Sequence, residues 1–380
     1  MRPVARALLL LVLTGCGPVP LLLGLGAAAG AGAFSGSGGR GGSEGGGGVG
    51  STPPPDPPAP PQPPAPQPSP LPPPPSPPPP PPSGPGTITL FPLPTADSEP
   101  LVITPGPDSN LWFAESSGNC IGRITTDGVI TEFPLPTFNS SPWVITTGPD
   151  RNLWFTENLA NNIGRITTAG IVTEFPVSTP NSRPIGITTG RDGNLWFAEG
   201  SGNNIGQITT AGAVTEFPVP TPSSGPYGIT SGPDGNLWFT EVEGEHIGRI
   251  TTAGVVTEFS IPSLGPTGIA TGPDGNLWFN EINTAIGSIT TAGVINIFVA
   301  PNPRYGATHW IASGPDNALW VANAGSPIGP DAIGMITTAG VVTEFPIAAL
   351  NGVPWGITSG PDGNVWFTEL VGNCIGRLVP

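Results

Sequence analysis

Past residue 86 the chain consists of short apolar and β-branched runs separated by turn residues, and the order of the runs repeats. The fullest copy reads Tyr227 to Ser231, the turn Gly232-Pro233-Asp234-Gly235, Asn236 to Glu241 with Leu237-Trp238-Phe239 inside it, Ile247 to Thr252, and, after Ala253-Gly254, Val255 to Phe259. The tryptophan recurs as Trp112, Trp154, Trp196, Trp238, Trp278, Trp320 and Trp366, at spacings of 42, 42, 42, 40, 42 and 46 residues. A period near forty with four strand-like runs per repeat marks a propeller blade rather than a helical solenoid. The pattern therefore predicts an all-β, seven-bladed β-propeller of four-stranded antiparallel blades. Both turns carry a glycine suited to the positive φ of a tight hairpin. The consecutive apolar residues of Leu-Trp-Phe predict a second strand covered on both faces by neighbouring blades.

Connection lengths divide the disc into two faces. From the first-strand Ile to the Trp is nine residues in all seven copies, and from the third-strand Ile to the fourth-strand Phe is twelve in all six complete copies. The other connections vary: Trp to the next Ile is usually nine, but eight from Trp278 to Ile286 and thirteen from Trp320 to Ile333. In an antiparallel blade the variable connections share one face, which is the candidate binding face. The last copy stops at Ile375-Gly376-Arg377-Leu378 without a fourth strand, whereas Thr87 to Pro92 is a fourth strand without a blade. The two fragments are expected to complete one blade and to close the ring without a free edge.

The first 85 residues read differently. Met1 to Gly30 holds Arg2 and Arg6 followed by an uncharged, Leu-rich stretch, the pattern of an export signal or anchor over residues 1–33. Leu13-Thr14-Gly15-Cys16 has the form of a lipobox, Ala31-Gly32-Ala33 that of an ordinary cleavage site, and the uncut run is long enough to span a bilayer. Each of these outcomes, lipidated, cleaved or uncut, places residues 86–380 outside the cytoplasm, secreted or anchored to the cell envelope. Residues 34–85, rich in Gly and then Pro, cannot bury a core and read as a linker.

Charge narrows the partners. There is no lysine, and from Gly86 onward eight Arg face 24 Asp and Glu, a balance of −16. An acidic surface without basic patches argues against nucleic acid and anionic membrane surfaces, and a monomer is expected. Cys120 and Cys374 occupy equivalent positions in neighbouring blades. At a radius of roughly 15 Å such positions lie about 13 Å apart, beyond the ~7 Å Cα limit of a disulfide, so both are expected to be free.

Candidate chemistry is sparse: there is no phosphate loop, metal-binding helix motif or nucleophile elbow. Glu115, Glu157, Glu199, Glu241, Glu281 and Glu369 end the Trp-Phe-x-Glu strand on the variable face, with Asn323 in the sixth place. They read either as partners for backbone and blade-to-blade hydrogen bonds or, for one or two of them, as cation ligands. His246 lies in an acidic loop and reads as a solvated surface residue. His309 stands two before the first-strand Ile, where the other blades have Leu101, Trp143, Ile185, Tyr227, Thr267 and Trp355. This position opens the innermost strand on the variable face and can look into the central cavity. Blade 6 also carries the insertion around Gly325 to Asp331, the Asn323 replacement and the longest approach, Phe298 to Ile311. Four departures in one blade fit either a site on a symmetric scaffold or drift in a tolerant blade.

The phrases Trp-Phe-Thr-Glu, Asn-x-Ile-Gly-Arg-Ile-Thr and Pro-x-Gly-Ile-Thr, over Thr87 to Leu378, resemble the virginiamycin B lyase (streptogramin B lyase) family of seven-bladed propellers. The resemblance implies a magnesium-dependent elimination that opens a cyclic depsipeptide at its ester, with histidines in the last two blades, a Glu in the last and a Tyr in the first. His309 falls on the sixth-blade histidine. The seventh-blade position is Trp355, the first-blade Tyr position is Leu101, and Glu369 lies near the family's last-blade Glu. The resemblance thus makes His309 and Glu369 the catalytic candidates and Glu369 with Glu115 the magnesium candidates. A tryptophan cannot transfer a proton. The reading is of a non-catalytic ligand-binding or scaffold module at the cell surface, with a small molecule or cyclic peptide in the central cavity; the alternative is a lyase of the streptogramin B type.

Overall fold

The computed structural model describes residues 84–262, 265–282, 285–299, 305–325, 331–348 and 352–380. The export signal, the lipobox at Cys16 and the linker lie outside the described residues. Among those described, all regular structure is strand, arranged as seven four-stranded antiparallel sheets. The innermost strands run Pro100–Pro105, Pro142–Thr147, Pro184–Thr189, Pro226–Ser231, Pro266–Thr271, Tyr305–Ser313 and Pro354–Ser359. Each adjoins the next, and the last adjoins the first, so the sheets form a closed ring. Blade 4 shows how far the sequence pattern holds: its strands are Pro226–Ser231, Leu237–Glu241, His246–Ile250 and Val256–Ser260, within two residues of the predicted ends.

The ring closes as the orphan strand implies. Ile88–Pro92 pairs with Cys374–Leu378 in the register Ile88↔Leu378 to Pro92↔Cys374 and becomes the outermost strand of blade 7. Phe91 stacks on Trp366 with ring centroids 5.7 Å apart, and the Arg377 guanidinium lies 5.6 Å from both rings. Arg377 then donates to the Thr126 carbonyl of blade 1 at 2.9 Å, which ties the closing blade to its neighbour.

The core is a set of wedges between blades. Trp112, Ala114 and Ile121 of blade 1 pack on Ile145, Leu153, Phe155 and Ile166 of blade 2, and the pattern recurs around the ring. This is why Leu-Trp-Phe is apolar without alternation: Leu237, Trp238 and Phe239 are all fully buried. The indole N–H is satisfied locally. Asp234 Oδ1 accepts from Trp238 Nε1 at 3.1 Å and from the Asn236 amide at 3.2 Å, while its Oδ2 accepts from the Asn236 side chain at 2.8 Å. Burial alone would raise the pKa of this Asp, but these donors hold it below its ordinary value. The turn glycine is less essential than the repeat suggests, since Ser109, Arg151 and Asn317 take its left-handed conformation in blades 1, 2 and 6, at φ of 62°, 62° and 59°. Gly254, at φ 87°, has two reasons to be glycine: a Cβ there would also stand 2.2 Å from the Phe217 ring of the preceding blade.

Successive blades are also clasped at the rim. Glu132, on the outermost strand of blade 1, accepts from the Thr95 backbone N–H at 3.0 Å and from its Oγ1 at 2.7 Å. Glu174 holds Thr137, Glu216 holds Thr179 and Glu258 holds Thr221 in the same way. Both thiols are free and buried, as the spacing argument required. Cys120 Sγ donates to the Gly118 carbonyl and Cys374 Sγ to Glu369 Oε2, each at 3.1 Å.

Candidate functional site

Six innermost strands break register between their Pro and their Ile, and that of blade 6 breaks twice between Tyr305 and Ile311, bulges that re-aim the intervening residues. In blade 2 the second-strand Thr156 holds the bulge: its Oγ1 accepts from Val144 N at 3.1 Å and donates to the Ile185 carbonyl of blade 3 at 2.7 Å. Thr240 ties blade 4 to Thr267 O, and Thr368 ties blade 7 to Leu101 O. In Trp-Phe-Thr-Glu the threonine thus fixes how neighbouring innermost strands meet, and so where the residue two before the Ile points.

Those seven residues form the axial ring. Leu101, Trp143, Ile185, Tyr227 and Trp355 pack into one cluster, and Trp310 and Val353 lean against it. The sequence places this ring facing a central cavity; in the structure its members fill much of that space themselves. Thr267 and Trp355 are buried, and His309 is 8% exposed. His309 lies flat on Trp355, with ring centroids 3.7 Å apart and planes 14° from parallel. Burial drives the imidazole pKa down to about 3, so it is neutral at ordinary pH. Two indole nitrogens, Trp143 Nε1 and Trp355 Nε1, and the Thr267 hydroxyl are buried without a well-formed hydrogen bond among the described residues, the Trp143 N–H lying near the Tyr227 hydroxyl but outside good bonding geometry. They are the polar atoms the ring keeps in reserve for a ligand or water. Beside the ring on the variable face, a pocket of about 100 Å³ is lined by Ile185, Tyr227, Val242, Gly200 and Gly225 with Asn158, Ser201, Arg183 and Glu243 at its polar parts.

The glutamates sit elsewhere. Glu115 and Glu369 are fully buried at the ends of their second strands, directly opposite Cys120 and Cys374. Burial pushes Glu115 up to about 8, with the charge of Glu132 adding to it. Glu369 is raised by burial, opposed by the Cys374 thiol it accepts from. The hydrogen-bonding role read from the sequence is only partly theirs. Glu157 accepts from Asn162 at 3.0 Å and Glu199 from Asn204 at 3.2 Å, but among the described residues no hydrogen bond of good geometry reaches the oxygens of Glu115 and Glu241, although the Ser98 and Ser224 hydroxyls lie beside them. The blade-to-blade clasp belongs instead to Glu132 and its equivalents, which sequence reasoning missed although each stands 37 residues after its threonine. Among the described residues no three His, Cys, Asp or Glu side chains converge around these carboxylates. His246 is half-buried at the start of its strand, opposite Glu241. Asn323 is buried with its Oδ1 unpartnered. The blade 6 insertion is described only at its ends.

The fold and the ring define a seven-bladed propeller with a packed axial mouth on its variable face, carrying one histidine. The virginiamycin B lyase family matches over residues 83–264 and 219–380. Three solved structures agree with it. A streptogramin B lyase is 38% identical, with 77% of this chain and 97% of that chain covered and a TM-score of 0.72. Virginiamycin B lyase from Staphylococcus aureus is 40% identical, covering 77% and 99%, also at 0.72. A catalytically inactive histidine-to-alanine form of the S. aureus enzyme with quinupristin is 39% identical with the same coverage and TM-score. No curated protein sequence matches at a significant level. The chain belongs to the virginiamycin B lyase family.

Proposed function

We propose that this protein is a non-catalytic, ligand-binding member of its family. It is exported, held at or released from the cell surface, and takes a small molecule or cyclic peptide at the axial mouth without opening it. The observation that carries this reading is the Trp355 indole lying against His309 at 3.7 Å, in the place where the family resemblance implies a second proton-handling histidine. A general base works best with a pKa near the operating pH. An imidazole held near 3 is a weak base, and neither Trp355 nor Leu101 can move a proton. The same packing suits binding: flat aromatic surface and unpartnered indole N–H groups recognise a peptide-like ring with carbonyl oxygens. Quinupristin, present with the inactive S. aureus relative, is the ligand class to try first.

Identity of 38–40% over nearly the whole length of the lyases favours the second reading, a streptogramin B lyase. There His309 would take the proton beside the ester, and Glu369 and Glu115 would serve as acid or ion partners. Incubating the protein with quinupristin and magnesium, and following the mass-neutral ring-opened isomer by chromatography and NMR, separates the two. Little or no opening is expected. Trp355→His should raise any residual activity and His309→Ala should abolish it. Robust opening by the unmodified protein would overturn the binding-module reading, and opening that survived His309→Ala would remove the axial ring as the site.

A further inference from the structure

The unpartnered oxygens of the second-strand glutamates have a common cause. Gly122 lies in register with Phe113 on one side and with Glu132 on the other. A Cβ on Gly122 would stand 2.1 Å from the Phe113 ring and 2.7 Å from Glu115 Oε1, so the ring and the Glu115 carboxyl share the space above the glycine. Residues directly opposite on adjacent strands project from the same face, which brings Glu132 into that space as well. The Glu115 oxygens face the Glu132 carboxylate, which has no donor to offer, and the Ser98 hydroxyl beside them, whose proton goes to Asn373 Oδ1 at 2.9 Å. The same register recurs for Glu157 with Glu174 about Gly164, Glu199 with Glu216 about Gly206, and Glu241 with Glu258 about Gly248, each glycine lying under the ring of the facing Phe. In blades 5 to 7 the register partners are Glu281 with Ile297, Asn323 with Glu344 and Glu369 with Leu90, so the register brings no carboxyl pair together, although the charge of Asp331 acts on Glu369.

Two unprotonated carboxylates in one buried space are strongly disfavoured, and either a proton or a cation must enter. A calcium ion asks for six to eight oxygens. Among the described residues no third acidic, His or Cys ligand joins any pair, and the outer carboxylate already has both oxygens on the threonine of the preceding blade. We propose that Glu115/Glu132, Glu157/Glu174, Glu199/Glu216 and Glu241/Glu258 are four buried acid–carboxylate pairs, each sharing one proton, and that these protons make the clasp between blades pH-sensitive. The inner member is the acid, and the outer member accepts from the threonine of the preceding blade.

The surroundings of each pair agree. Burial, with the facing carboxylate adding to it, raises Glu115 and Glu241 to about 8. Glu157 and Glu199 reach about 7, because Asn162 and Asn204 donate to them. Cys120 and His246 occupy the Asn place beside Glu115 and Glu241. A carboxyl whose folded pKa is raised has its stabilising contribution complete below the unfolded value, near 4.5, and loses it as pH rises to the folded value. The window is therefore pH 4.5 to 8.

The test is chemical denaturation of the full chain between pH 6 and 7, where unfolded Glu is ionised and each inner Glu still holds most of its proton. Each pair should lower the folding constant by up to about tenfold per pH unit. Glu241→Gln, which replaces the shared proton by an amide donor, should reduce the slope of log K against pH by about one, and Gln at 115, 157, 199 and 241 together by about four. An unchanged slope in Glu241→Gln overturns the proposal. So does stabilisation of the unmodified protein, but not of the variant, by millimolar Ca²⁺ or Mg²⁺ at pH 8, which would put a cation between the carboxyls. Should the fourfold variant not fold, infrared spectra of the unmodified protein decide: a neutral-acid carbonyl band at pH 6.5 that fades by pH 9 supports the pairs, and its absence refutes them.

Discussion

Phe91→Ala isolates the closure of the ring. Phe91 is half-buried in the strand that completes blade 7, stacked on Trp366 and covered by Arg377. An aromatic side chain buries 150–250 Å² when fully covered, so about 100 Å² of apolar area is lost here, worth roughly 2.5 kcal/mol at ~25 cal/mol per Å². The stack and the cation–π contact add about 0.5 kcal/mol together, for a total near 3 kcal/mol. At ~2–4 °C per kcal/mol for a domain of this size, calorimetry should show Tm falling by about 9 °C. Phe133→Ala in blade 1 removes the same contacts, with Trp112 and Arg123 in place of Trp366 and Arg377. The two variants should lose similar stability, but only Phe91→Ala should speed amide exchange along Ile375 to Leu378, since only there does the lost ring hold a chain terminus in the sheet. A Tm for Phe91→Ala within a degree of the unmodified protein would refute the closure argument.

Two further outcomes are expected. His309→Phe keeps the stack on Trp355 and removes the titrating group. Because the folded imidazole sits near 3 against 6.5 for the free side chain, the unmodified protein should lose about 3 kcal/mol more than the variant as pH falls from 7 to 4, and equal losses would contradict the buried neutral His309. Burial, with Glu115 and Glu132 nearby, lifts Cys120 to about 11, and burial with Glu369 raises Cys374. Neither should be alkylated within minutes in the native protein at pH 8, and both should be alkylated under denaturing, non-reducing conditions, as mapped by mass spectrometry; protection in the second case would mean a disulfide.

Much of the fold was legible because a propeller states its architecture in its period. The recurring Trp, the constant hairpins and the orphan strand at Thr87 to Pro92 lead to seven blades and their closure. Strand ends were less legible, since turn geometry rather than side-chain type decides them. The Asp–Trp bond was written in the sequence as an Asp four residues before each of the seven recurring Trp, and the Glu–Thr clasp as a spacing of 37, but both cross a boundary between elements that strand patterns do not register. The axial ring was legible as a set of equivalent positions. Its packing was not, because the room at the axis depends on the summed volume of seven side chains from seven blades. The carboxyl pairs needed the register, which sets Glu258 opposite Gly248 and Glu241 two residues beyond Phe239, whose ring covers that glycine.

The central claim is that the axial mouth binds a cyclic peptide ligand and leaves it intact. Its most direct measurement is a titration of the full-length protein with quinupristin followed by intrinsic tryptophan fluorescence, with the ligand recovered at the end and examined by NMR. Trp143, Trp310 and Trp355 line the mouth, whereas Trp112 and its six equivalents are sealed between blades, so a ligand at the axis should change the signal of the first group. The account expects a saturable change that Trp355→Ala weakens, and recovery of unopened ligand after hours of incubation with magnesium. Recovery of the ring-opened isomer, or a saturable signal unaltered by Trp355→Ala, would contradict it.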